Sequence, residues 1–141
     1  MFHRVIAGVV VKSGGYTIGI LKRAGAVGPI ELESDKGLSN LRCTLSMARI
    51  NGPNSAMSEF FINLVDYLVL DYKNGANLVY RAFGKVVKGM EVVDAIAAQS
   101  TGILSGFADV PLLDIAITME MQTKYFTDRI QGKAACLLLK L

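Results

Sequence analysis

Apolar and polar positions alternate along several short stretches of this chain. The clearest is PLLDIAITMEM, where Leu113, Ile115, Ile117 and Met119 share one parity and Asp114, Ala116, Thr118 and Glu120 the other. That pattern predicts a half-buried antiparallel strand. Val5–Lys12 reads as a strand with Gly8 as a bulge or kink, and Gly14-Gly15 ends it. Residues 16–40 read as loop. Thr44–Arg49, Glu59–Leu64 and Val79–Val87 read as further strands, with turn punctuation at Gly52-Pro53-Asn54 and a loop over Leu70–Asn77. The period changes at Met90–Ala98, where Val93, Ile96 and Ala97 fall on one helical face. Residues 99–111 read as loop, and the stretch from 122 to 141 reads as a fraying tail or short helix. Several short strands and one helix give a mainly β domain, a barrel or a sandwich.

Parity also sorts side chains by face. If the first strand is regular, Arg4, Ile6, Val10 and Lys12 lie together. In SEFFIN, Phe60 and Ile62 take the core side, and Glu59, Phe61 and Asn63 take the other. Phe61 therefore shares its face with polar groups. Its ring either floors an apolar site rimmed by charge or packs into a secondary core.

Composition narrows the function classes. The 141 residues suit one domain, and the hydrophobic share of 52% with a mean hydropathy of +0.40 is high but has no run long enough to span a bilayer. The net charge of +3 is spread thinly, so no nucleic-acid partner is implied. Cys43 and Cys136 are far apart and read as free thiols, and with His3 the only histidine no zinc site is expected. The N-terminal apolar stretch Val5–Val11 sits at the lower edge of a signal segment and no small-residue cleavage pattern follows, which leads to a cytoplasmic expectation. No G-x-x-x-x-G-K-[ST] run marks a nucleotide site.

The blocks FHRVIAG…GG, GLSNLRCTLSMAR, GPNSAMSEFFIN, LDY and FGKVVKGMEVVDAI, in this order from Phe2 to about Met121, resemble the cyclophilins, most closely the bacterial kind. The resemblance implies a peptidyl-prolyl cis/trans isomerase on an antiparallel β-barrel. It assigns residues 1–121 to a cyclophilin-like domain and 122–141 to a C-terminal tail. Family members carry further N-terminal strands and a first helix before F-H-R. The expectation is therefore an incomplete barrel with one short helix, and self-association through exposed strand edges.

The reaction implied by the resemblance rotates an X-Pro amide over a barrier of about 18–20 kcal/mol. No bond breaks, so no cofactor or metal is called for. By resemblance Arg4 is the catalytic cation, donating to the prolyl nitrogen of the twisted amide. Phe61 floors the proline pocket, Val10 and Leu70 wall it, Tyr80 lies at the rim, and Ala48 and Arg49 belong to the segment that pairs with substrate backbone. The partners implied are proline-containing peptides or unfolded chains.

Several positions depart from the family pattern. Lys12 and Glu59 stand where the family has glutamines. A glutamine donates and accepts, whereas Lys12 only donates and ionised Glu59 only accepts. Glu59 is expected to pair with Lys12 or with Arg4, and catalysis is expected to fall about 10²-fold below a good family member. Val9-Val10 replaces Phe-Met, Val69 replaces an aromatic, and Ala7 replaces a proline. Cys43 replaces a glycine and is expected to suffer if its backbone needs a positive φ. Two alternatives stand beside the enzyme: a non-catalytic prolyl-peptide-binding module, and a degenerate, non-functional fragment of the family.

Overall fold

The computed structural model describes residues 1–23, 28–31, 38–50, 52, 54–71, 80–123 and 135–140, with backbone alone for 119–123 and 135–140. Among the described residues the chain is mainly β with one α-helix. Its strands are β1 (Arg4–Ile6), β2 (Val10–Ser13), β3 (Tyr16–Thr17), β4 (Leu21–Lys22), β5 (Thr44–Met47), β6 (Phe60–Asn63), β7 (Ala82–Lys88), β8 (Thr101–Leu104), β9 (Phe107–Pro111), β10 (Met119–Thr123) and β11 (Ala135–Lys140). The helix α1 spans Met90–Ala97, and a single 3-10 turn covers Leu68–Leu70. Seven strands form one sheet in the order β1-β2-β6-β5-β7-β11-β10, while β3-β4 and β8-β9 are separate hairpins.

Directly opposed residues on antiparallel neighbours point to the same side of a sheet. Val5 faces Val11, Val11 faces Ile62, and Ile62 faces Leu45. All four are buried, and with Phe2, Leu64, Val86, Val93 and Ile96 they form the hydrophobic core. Helix α1 lays Val93 and Ile96 on this row, as its period predicts. The neighbouring row, one residue along each strand, points the other way. In it Arg4 faces Lys12, Lys12 faces Phe61, and Phe61 faces Ser46.

The expected single strand Val5–Lys12 is a hairpin. Gly8 adopts φ +71° at the third position of a turn closed by the Val9 N–H donating to the Ile6 carbonyl at 3.0 Å, a position where positive φ favours glycine. The kink at Gly8 is thus a full reversal, and it sets Arg4 directly across from Lys12 rather than further along one strand.

Two segments read as loops are hairpins. Within 16–40, β3 and β4 pair Tyr16 with Lys22 and Thr17 with Leu21. Within 99–111, β8 and β9 are joined by Ser105 (φ +50°) and Gly106 (φ +81°). Two successive positive φ values make the tight hairpin connection whose twist matches its strands. The Ser-Gly dipeptide carried that signal.

The strand expected over 113–120 begins only at Met119. Ile115 and Ile117 do pack against the core, but Leu113 is 67% exposed and 112–118 has no strand ladder. The segment packs Ile115 and Ile117 on the core without alternate burial, anchored where the Phe2 N–H donates to the Ile115 carbonyl at 2.8 Å. The final segment is neither helix nor fraying end over Ala135–Lys140. There β11 pairs in parallel with β7 and antiparallel with β10, and an unbroken apolar run suits a strand with partners on both edges. The strand expected at Val79–Val87 is β7, with Val79 itself outside the described residues, as are Pro53 and the loop beyond Asp71. Cys43 does adopt a positive φ, +73°.

Candidate active site

The row Arg4–Lys12–Phe61–Ser46 runs across four strands on the face opposite the core. Neighbouring strands are about 4.8 Å apart, so the Arg4 and Phe61 backbones are separated by roughly 10 Å with Lys12 between them. The hairpin turn at Gly8 and the pairing of β2 with β6 create this row. One residue of slip in either would send Arg4 or Phe61 to the other face.

Phe61 is buried, with 6% of its surface exposed. Its ring meets Tyr80 edge-on at a centroid distance of 5.5 Å, and the Arg49 guanidinium lies 5.3 Å from the centre of the Tyr80 ring. Tyr80 is held by its backbone on both sides. Its N–H donates to the Leu70 carbonyl at 3.0 Å, and its carbonyl accepts from Asn40 Nδ2 at 2.9 Å. Asn40 is wholly buried and also donates Nδ2 to Asp71 at 2.8 Å, while its Oδ1 accepts from Ser46 Oγ at 2.6 Å and Asn63 Nδ2 at 3.2 Å. These polar groups lie beside Phe61 on the same side of the sheet. They fix Leu70 and Tyr80 relative to its ring, a role for Asn40 and Asp71 that sequence reasoning missed, although both lie within the blocks quoted above.

Val10 sits on the Phe61 face, half-buried, one step along at the pair Val10–Asn63. The Ala48 N–H is used within the chain, donating to the Glu59 carbonyl at 2.8 Å, and Ala48 is buried. The Ala48–Arg49 segment is thus already tied by that amide to the residue before β6.

Glu59 takes Lys12 and leaves Arg4 alone. Lys12 Nζ is 2.5 Å from Glu59 Oε2, and His3 Nε2 is 3.7 Å from the same oxygen. The carboxylate lies across Gly15, where a methyl group would come within 2.7 Å of it. His3 and Lys12 together hold the Glu59 carboxyl down at about 2, against the burial that would raise it. By distance Lys12 is the closer partner, and His3 adds to the field only when its ring is protonated. His3 is itself buried and packs its ring on Tyr16 at 4.7 Å, with Nδ1 lacking a partner among the described residues.

Arg4 has a different partner, one the sequence did not suggest. Its Nε and Nη2 donate to Asp109 Oδ2 at 3.2 and 3.1 Å. Both side chains are close to half exposed. Among the described residues no group of three His, Cys, Asp or Glu side chains is placed to hold a metal ion, and no helix is long and apolar enough to cross a membrane.

Fold and site define a β-rich domain that presents Arg4, Lys12 and an aromatic ring in one row on the face away from its core. Residues 1–120 match the family model "Cyclophilin type peptidyl-prolyl cis-trans isomerase/CLD". The chain is 44% identical over 117 residues to peptidyl-prolyl cis-trans isomerase A of Dickeya dadantii, covering 83% of this chain and 60% of that relative. It is 42% identical over 120 residues to peptidyl-prolyl cis-trans isomerase B of Escherichia coli, covering 83% and 72%. A Streptomyces antibioticus peptidyl-prolyl cis-trans isomerase matches at 40% over 119 residues, covering 83% and 71%. The chain belongs to the cyclophilin-type peptidyl-prolyl cis-trans isomerase family.

Proposed function

We propose that the chain accelerates cis/trans rotation of X-Pro bonds in proline-containing peptides and unfolded chains, in a cytoplasmic setting, with Arg4 as catalytic cation and Phe61 as the platform for the proline ring. The observation that carries this reading is the shared row, which brings Arg4 and a supported aromatic ring to one side of the sheet. Rotation needs no nucleophile. It needs the twisted amide to be bound better than either planar form. Twisting localises a lone pair on the prolyl nitrogen, and a guanidinium that stays protonated and offers a rigid set of donors stabilises it. Two of the Arg4 nitrogens are engaged by Asp109, which leaves Nη1 without a partner among the described residues.

Lys12 and Glu59 set the level of activity in this proposal. Paired with each other, neither offers both the donor and the acceptor of an amide, so turnover is expected about 10²-fold below that of a family member with glutamines there. The same pair favours a second reading, a module that binds prolyl peptides without turning them over. A coupled isomerase assay separates the two. Acceleration that disappears in Arg4→Ala supports the enzyme. Peptide binding with no acceleration in the unaltered chain supports the module.

A further inference from the structure

We propose that Asp109 is a positioning residue for Arg4: it holds the guanidinium on the substrate side of the sheet so that its remaining donors face the prolyl nitrogen. The inference rests on the reading of Arg4 as the catalytic cation. Two independent observations carry it. The first is the contact itself, two donors of one guanidinium, Nε and Nη2, converging on a single carboxylate oxygen at 3.2 and 3.1 Å. Fixing Nε and Nη2 leaves a flexible side chain little rotation about its last bonds, and it aims Nη1 away from the carboxylate.

The second is the backbone that delivers the carboxylate. Asp109 has φ +61° in the middle of β9. The β8–β9 register slips there: Gly102 pairs with Val110 but Leu104 pairs with Phe107, so Asp109 lies in the irregularity. Such a bulge re-aims a side chain, and a left-handed residue inside a strand is a strain that invites a functional account. Without it Asp109 would follow the alternation of its strand. With it, the carboxylate of a separate hairpin meets an arginine 105 positions earlier in the sequence. Folding stability gives no comparable reason for the pair, since ion pairs between half-exposed side chains contribute little.

The test uses Asp109→Asn. Asparagine tolerates the left-handed backbone as well as aspartate does, so the hairpin is kept while the charged acceptor is lost. Isomerisation of a prolyl tetrapeptide is measured for the unaltered chain, Arg4→Ala and Asp109→Asn, and Arg4 side-chain order is followed by 15N relaxation at Nε. The expected result is kcat lowered about tenfold by Asp109→Asn with KM within about twofold, the signature of a group that acts on the transition state alone. Arg4 Nε order should fall in the same variant while the melting temperature holds. An unchanged or raised kcat in Asp109→Asn, where Arg4→Ala is impaired, overturns the positioning role and leaves Arg4 catalytic. Unchanged order at Nε does the same. Turnover untouched by Arg4→Ala removes the reading of Arg4, and the proposal with it.

Discussion

Lys12 stands directly opposite Phe61 on the neighbouring strand, and its ammonium is tied to Glu59 at 2.5 Å. Lys12 thus stands between Arg4 and Phe61 in the strand register, with its charge held by Glu59 two residues before Phe61. Amides at both positions give each of the two side chains a donor and an acceptor. The double variant Lys12→Gln/Glu59→Gln is expected to raise kcat/KM, by up to about 10²-fold. Each single variant is expected to gain less or to lose, because it leaves one half-buried charge without its partner. A coupled isomerase assay on the three variants reads this. A double variant no faster than the unaltered chain would show that the ion pair does not limit turnover.

The Glu59 carboxyl also links this site to acid stability. Its folded-state value of about 2 is below the ordinary 4.5. A carboxylate depressed on folding contributes stability that is present above its unfolded value and is lost as pH falls through the folded one. Stability should therefore decline between about pH 4.5 and about pH 2. Denaturant melts across that range should show a shallower decline for Glu59→Gln than for the unaltered chain.

Phe61 is buried against the edge of Tyr80, so its ring has a structural role beside the binding role proposed for it. Phe61→Leu loses an aromatic pair contact of about 0.5–1.5 kcal/mol beyond area burial. The expected outcome is a modest fall in melting temperature and a clear rise in KM for prolyl peptides. Titration with a peptide whose proline is replaced by alanine should show no difference between the two proteins.

The core row gives a contrasting case. Ile62 has no exposed surface and points away from Phe61 and Lys12. Ile62→Ala is expected to cost about 2–5 kcal/mol in equilibrium unfolding. Under conditions where the variant remains folded, its KM should be close to that of the unaltered chain.

The parts of this molecule legible in the sequence were those set by alternation over a paired strand. Phe60–Asn63 sorted its faces correctly at Ile62 and Phe61, and the helical period of Val93 and Ile96 gave α1 its buried side. The row joining Arg4 to Phe61 depended on more. It needed the reversal at Gly8, and a lone glycine in an apolar run marks a bulge as readily as a turn. Ile115 and Ile117 pack on the core without a ladder, so their spacing in the sequence mimicked a strand. Asp109 was invisible because its direction comes from a positive φ and a register slip, neither of which leaves a trace in hydrophobic pattern. The choice of Lys12 over Arg4 as the partner of Glu59 follows from strand pairing, which local sequence does not state.

The central claim is that Arg4 and Phe61 act on one proline from one side of the sheet. Intermolecular proton contacts by NMR, in a complex with a short Xaa-Pro peptide, test it most directly. The account predicts contacts from the prolyl ring to the Phe61 ring, and from the protons next to the prolyl nitrogen to the Arg4 side chain, in the same bound peptide. A proline that contacts neither residue, or Phe61 alone while Arg4 lies turned away, would contradict it.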